Sequence, residues 1–509
     1  MAAPTPPKVV VIGAGSAGVF AAYLLQKHAP NQFDITILEK NDAIGGNARG
    51  HEYAGPGGKV HIDCGAQFFF ETTEPEYCDM LRDEGFFGVD GLISETPVGM
   101  SVWNATANKL EFAVPNSFEG IMRGVESQPG DWVHFFELTL AAIEKYFSDD
   151  WTETFGDWLA NIYLSGSAES KEAFKQKIAR PLMYQFGLMR PQDLDELSAL
   201  FVVYYYVGSL PWPEGGAPPK GVKPEIAPFH LYTCNIGLDG ILQRLLDKFG
   251  LTARTSSPVA SIATQGTGWV VTTADGTAFP ADEIVFATNP QWTQALLPNL
   301  PAFDALRSLL AGMPYLTVHV HVQNSPTSPY ISPQKADWTV ANVTLVEDAS
   351  GQPSHYQLTI WFGPLKSEPI GQNFFKSWGS PTLFPEHQPA PWVEQTHEEV
   401  VGTPDFIARR DQLRTNFQGA KSLWYVGGYL LDYDTQNTCL KSALDVAKRL
   451  MQKHGFEPKD PDAFAAAPLR IAKENLPPLL VEIERALLAL DVSHEVLDAF
   501  KARRRNASS

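Results

Sequence analysis

The chain has 509 residues, 44% of them hydrophobic, with a formal charge of −19 and an isoelectric point near 5.1. That length and apolar content suit a soluble globular protein of about two to three domain-sized units. The acidic balance argues against a nucleic-acid partner, because counterion release needs clustered Lys and Arg. Cys64, Cys78, Cys234 and Cys439 are too few and too scattered for a disulfide framework or a metal site, so the expectation is reduced thiols, no metal and a cytoplasmic location.

Met1 to Pro7 is a proline-rich lead-in without a basic n-region, and no signal peptide is expected there. Lys8 to Ile12 then forms a short apolar strand that breaks into Gly13, Ala14, Gly15, Ser16, Ala17 and Gly18. A helix-prone stretch, Val19 to Lys27, follows, and a second strand from Phe33 ends on Glu39. In this order Gly13 allows the tight turn, Gly15 lets backbone approach a pyrophosphate, and Gly18 lets helix and strand pack closely. The helix N-terminus, with Ser16 and Ala17 in its first turn, faces the phosphates with unpaired N–H groups. Glu39, followed by Lys40, stands 21 residues after Gly18, where a carboxylate can accept both ribose hydroxyls. The unit is a Rossmann-type dinucleotide site.

Beyond Lys40 come Gly45, Gly46, Asn47 and Arg49, then Asp63-Cys-Gly65-Ala66-Gln67. Ser257 to Ile262 and Trp269 to Thr273 read as paired strands, with Asp275-Gly276 as the next turn and a final strand running to Ala287. Leu423 to Tyr429 repeats the strand-to-glycine pattern at Gly427 and Gly428, before a helix-like stretch from Thr438 to Leu450. These segments, in this order, resemble the flavoprotein superfamily of flavin amine oxidases, phytoene desaturases and related FAD-dependent oxidoreductases. The resemblance implies that Gly45 and Gly46 carry backbone past the pyrophosphate and that Gly65, Ala66 and Gln67 lie beside the flavin ring. It also implies that Val259 meets the adenine through its backbone, and that Gly427, Gly428 and Thr438 complete the site at the ribityl-phosphate. Where many members have arginine directly after the glycine pair this chain has Asn47, with Arg49 two positions later.

The implied fold is α/β: a Rossmann-type FAD-binding domain (GR2-like) with a mixed-sheet substrate domain and a helical cap insertion. The expected segments are 1–90, 231–295 and 411–452 for the FAD site, 91–230 for the cap, 296–410 for the substrate sheet, and 453–509 for a helical tail that includes Leu480 to Leu488. The aromatic run Leu197 to Trp212 is shorter than the roughly 20 residues that span a bilayer, so no transmembrane segment is expected. It reads as core or cavity wall, closed by the loop Pro211 to Pro219.

Only one dinucleotide fingerprint is present, which disfavours reduction by a nicotinamide. No cysteine lies near Glu398 to Pro404, where the resemblance would place a covalent flavin link, so non-covalent FAD is expected. Many amine oxidases of the superfamily hold a water at flavin N5 with a lysine on the first long strand of the substrate domain. The matching strand, Met313 to His321, has none, and Lys366 or Lys376 would substitute only if the fold bent them inward. That gap moves the expectation toward hydride abstraction at a C–C or allylic position of a hydrophobic, lipid-like molecule, by desaturation or double-bond isomerisation. Dioxygen or a quinone is the expected electron acceptor.

Amine oxidation, amine to imine with oxygen as acceptor, is the alternative. A flavin-free prenyl- or lipid-binding protein, as in the Rab GDP-dissociation inhibitors, is a further one, although those lose the phosphate loop that is intact here. His319 and His321, two apart on a strand and so on one face, are candidate acid–base residues. Tyr429 and Tyr433, after the last FAD strand, are candidates for the flavin's substrate side. Tyr204, Tyr205 and Tyr206 cannot all face one cavity and read mostly as packing.

Overall fold

The computed structural model describes residues 5–461 except 56–57, 71–73, 90, 116–117, 188–190, 209–229, 366–372, 380–391 and 432–434. Tyr433, Lys366, the loop Pro211 to Pro219 and the tail helix expected at Leu480 to Leu488 therefore lie outside the described residues.

The architecture is built on two large sheets. The first is parallel, in the order Ala253–Arg254, Asp34–Leu38, Lys8–Ile12, Glu283–Phe286, Leu423–Tyr425. Strands buried on both faces are continuous apolar runs, and Val9 to Ile12 and Ile284 to Phe286 fit that rule. The helix Ser16–His28 follows the first strand and is rich in Ala, Val and Leu, with most of its surface buried. It packs against the long helix Gln436–His454, so the last element of the FAD motif closes on the first. A three-stranded antiparallel sheet, Val259–Gln265, Gly268–Thr273 and Ala278–Ala281, hangs beside this layer. Its second turn holds Gly276 at φ +84°, as the Asp275-Gly276 signal requires.

The second sheet has seven strands in the order Val393–Val400, Tyr315–Asn324, Phe374–Gly379, Pro353–Trp361, Ala341–Glu347, Met100–Asn104, Lys109–Val114. All pairs are antiparallel except Ala341–Glu347 with Met100–Asn104, so the sheet is mixed, as expected. Two of its strands come from the 91–230 segment, which is therefore not helical throughout; the helices of that segment cover the sheet. Arg180–Gly187 packs on strands Ala341–Glu347, Pro353–Trp361 and Met100–Asn104, and Pro129–Ser148 packs on Ala199–Gly208. The register sets the chemistry of each face, because opposed residues of an antiparallel pair share a face. Val318 is opposite His397 and Val322 is opposite Lys376. His321 is opposite Ser377 and Glu394, on the other face. Among the described residues no helix is long and apolar enough to cross a membrane.

Candidate functional site

The phosphate loop is shaped by close backbone approach. Gly13 has φ +104°, and a Cβ there would sit 2.6 Å from the Ala287 carbonyl oxygen. A Cβ on Gly18 would overlap the Gly13 carbonyl, so helix and strand can meet only at glycine. At Gly15 an added Cβ would only touch the Gly45–Gly46 backbone, with the Gly46 Cα nearest at 3.8 Å, so nothing in the protein forbids it. The Gly45 amide donates to the Ala14 carbonyl at 2.9 Å, which joins the glycine pair Gly45–Gly46 to the loop.

The helix Ser16–His28 starts with no side-chain cap and no acid in its first turn, although Ser16, Ala17 and Gly18 are buried. A buried, uncapped helix N-terminus leaves N–H groups and a positive dipole end for an anion. Glu39 is buried beside it and accepts the amides of Ala14 (2.8 Å) and Asn41 (2.9 Å). The residues present therefore fit a dinucleotide. Gln67 adds to that fit: it is buried, and neither end of its amide has a hydrogen-bond partner among the described residues. A polar group in that state costs stability unless a ligand satisfies it.

The other residues expected to bind the cofactor have the following local contacts. Asn47 donates through its side-chain amide to the Glu398 carbonyl at 3.1 Å, and its own carbonyl accepts the Ala66 amide at 2.9 Å. Arg49 pairs with Asp42 at 3.1 Å. Val259 opens its strand half-buried, and the Ala287 amide donates to the Ile12 carbonyl. The Gly427 amide donates to the Ser442 hydroxyl at 3.0 Å, and Gly428 begins a short 3-10 turn. Thr438 forms a reciprocal capping box with Thr435 at the start of the last helix, so this N-terminus, unlike the first, is closed by the protein's own hydroxyls. Glu74, which no motif marked, is fully buried beside it and accepts the Asn437 amide at 3.3 Å. Burial pushes its carboxyl up to about 8.

Lys376 is wholly buried and donates to the Gly65 carbonyl at 2.7 Å, across 311 residues of sequence. Its ammonium lies 4.2 Å from the centre of the Trp378 ring, a cation–π contact. The strand Tyr315–Asn324 carries no lysine, but its neighbour Phe374–Gly379 brings one to the turn that the resemblance sets beside the flavin. His397 reaches the same turn, since a Cβ on Gly65 would lie 2.5 Å from its Cε1. Burial, and then the Lys376 charge, hold this imidazole down to about 4, so it is neutral at pH 7. Each residue can be assigned to this turn only from the sheet register, which the sequence of its own strand does not give.

His319 and His321 share one face as expected, but it is the face opposite the one that carries Lys376 and His397. His321 is buried, with Glu394 at 3.9 Å, and burial lowers its pKa. Tyr429 is buried with its hydroxyl unpartnered among the described residues, and its ring meets Tyr315 edge-on at 6.4 Å. Tyr315 in turn contacts Phe406, and Tyr205 contacts Phe70 edge-on at 4.9 Å. Next to the glycine pair, where a Cβ on Gly45 would lie 3.0 Å from the Asp239 Cβ, His61 lies between Asp63 (3.7 Å) and Asp239 (3.1 Å). Those carboxylates also accept the amides of Leu238, Gly240 and Gly50, which makes the cluster a tie between a hairpin and a helix start.

Residues 16–359 match the family described as flavin containing amine oxidoreductase. A curated relative, polyamine oxidase 1 of Oryza sativa subsp. japonica, is 30% identical over 82 residues, which is 16% of this chain and 15% of the relative. Among solved structures, a putrescine oxidase variant matches with a TM-score of 0.56 at 13% identity, covering 88% of this chain and 100% of its own. Cyclohexylamine oxidase from Brevibacterium oxydans IH-35A matches at 0.53 and 17%, covering 87% and 99%. A CLA-producing fatty acid isomerase from P. acnes matches at 0.53 and 14%, covering 88% and 99%.

Proposed function

The chain belongs to the flavin containing amine oxidoreductases and is an FAD-dependent oxidoreductase, and from that premise we propose that it oxidises a largely apolar amine at the carbon next to nitrogen, with dioxygen as the final acceptor. The observation that carries this reading is buried Lys376 at the Gly65 carbonyl. FAD, when bound, supplies the hydride acceptor.

The chain's own residues prepare the donor. An amine gives up hydride readily only when its nitrogen is neutral. A positive charge fixed in a buried site lowers the pKa of a second ammonium near it, so Lys376 favours loss of the substrate's proton before reaction. His397, neutral above about pH 4, adds no competing charge. Tyr429, Tyr315 and Phe406 form one group of touching rings, and Phe70 with Tyr205 forms another; aromatic surface of this kind suits an apolar body, as in ligand sites with few polar anchors.

Desaturation or isomerisation of an unsaturated lipid is the second reading. It is favoured by the same buried cation, which would also receive a carboxylate head group. An anaerobic screen of amines, fatty acids and polyenes separates the two. Amines should bleach the flavin and, on hydrolysis of the imine, give an aldehyde and ammonia. Bleaching by polyenes or fatty acids alone, or a product isomeric with its substrate, would replace the amine reading. NADH and NADPH should leave the flavin oxidised in either case.

A further inference from the structure

The parallel sheet places two side chains across the mouth of the nucleotide crevice. Lys40 leaves the carboxyl end of strand Asp34–Leu38, and Trp292 stands in the first turn of helix Pro290–Leu296, just beyond strand Glu283–Phe286. Those two strands flank Lys8–Ile12 on opposite sides, so they lie roughly 10 Å apart at the usual strand spacing. The Lys40 ammonium nevertheless reaches to 4.4 Å from the centre of the Trp292 ring. The pair therefore spans the carboxyl end of the central strand, which is where ligands bind in such sheets.

The surroundings say which part of a dinucleotide lies beneath. Lys40 follows the ribose acid Glu39, whose carbonyl accepts the Ser257 amide at 2.8 Å. Ser257 leads to Val259, and the helix carrying Trp292 packs against the strand that Val259 begins. Trp292 is 52% exposed, one of four exposed large hydrophobic side chains among the described residues. An indole left in water at this point has a ready partner in a purine face.

Building on the FAD reading above, we propose that Lys40 and Trp292 form a clasp over the adenosine half of FAD, which stacks the adenine and slows cofactor loss. The Lys40 contact holds the indole across the crevice, and the adenine completes its burial. Stacking a base on an aromatic side chain is worth about 1–3 kcal/mol, or roughly 5- to 150-fold in an equilibrium.

The test follows flavin fluorescence as holoenzyme is diluted, which reports release independently of activity. Trp292→Ala should speed release by about tenfold or more, Trp292→Phe should keep most of the retention, and Lys40→Met should fall between them. Added ADP should trap the released state less well in Trp292→Ala than in the parent, while FMN should compete equally in both. Release rates that are unchanged in Trp292→Ala and Lys40→Met, with FAD normally bound, would overturn the clasp. A parent protein that neither carries nor takes up FAD would instead overturn the cofactor reading on which the clasp rests. Both side chains are exposed, so circular dichroism should be the same in all variants.

Discussion

The two large sheets position polar chemistry by different means. In the parallel sheet the site is made of backbone: glycines that permit close approach, an uncapped helix start, and one carboxylate that accepts two amides. In the seven-stranded sheet it is made of side chains, Lys376 and His397, delivered by two different strands to a turn that belongs to the FAD motif. A backbone site is a local property of consecutive residues. A side-chain site of this kind exists only once the strand register is fixed.

Glycine substitutions test the backbone half most severely. Gly18→Val should remove both flavin and fold, because a Cβ there overlaps the Gly13 carbonyl and nothing flexible can yield. Gly15→Ala should leave the protein folded with weakened flavin binding and Gly15→Val should be flavin-free, because the Cβ meets only an ordinary contact within the protein while blocking close approach of the backbone to phosphate. Flavin content and a thermal melt together check the pair. Equal melting of Gly18→Val and Gly15→Ala, or retained flavin in Gly15→Val, would break the distinction between packing glycine and binding glycine.

On the side-chain half, Lys376→Met should lower the rate of anaerobic flavin reduction by about 100-fold or more while FAD stays bound, the size expected when a group that controls a proton is removed. His321→Gln should change the same rate by no more than about threefold, because His321 shares a face with Ser377 and Glu394, away from the Gly65 turn. Equal losses in both would mean that the reaction uses the other face of the sheet. Glu39→Ala comes next in size. It should weaken FAD by roughly 10- to 100-fold through loss of a charge-assisted acceptor, read as flavin retained after gel filtration.

This division also explains what was legible in the sequence. The order strand, glycines, helix, strand, acid marks Gly13, Gly15, Gly18 and Glu39, because the turn after the first strand and the end of the neighbouring strand are each set by consecutive residues. The mixed sheet was legible as alternating strands, and the common face of His319 and His321 followed from a period of two. Which face that is cannot be read from one strand, since it depends on whether Val318 or His319 is set opposite His397. Lys376 lies on a later segment and could substitute only if the fold brought it inward; pairing with Tyr315–Asn324 makes that segment a direct neighbour. Glu74 has no pattern around it at all; it becomes notable only when the last helix arrives beside it.

A last expected effect, read as stability and not as rate or retention, tests the electrostatics that link Lys376 to His397. An exposed imidazole titrates near 6.5, and His397 is held down to about 4 by burial first and by the Lys376 charge second. Between those values the unfolded chain binds a proton that the folded protein refuses, so stability falls as pH drops from about 6.5 toward 4 and levels off below. The full change is about 3 kcal/mol, readable as denaturant midpoints across that range. His397→Gln should flatten this part of the curve. Lys376→Met should flatten it less, because removing the cation lifts only part of the depression and leaves the burial term. A pH profile that Lys376→Met leaves untouched, with flattening in His397→Gln intact, would show that the two side chains share a turn without sharing a field. The proton argument for amine oxidation, which needs that field, would then fail.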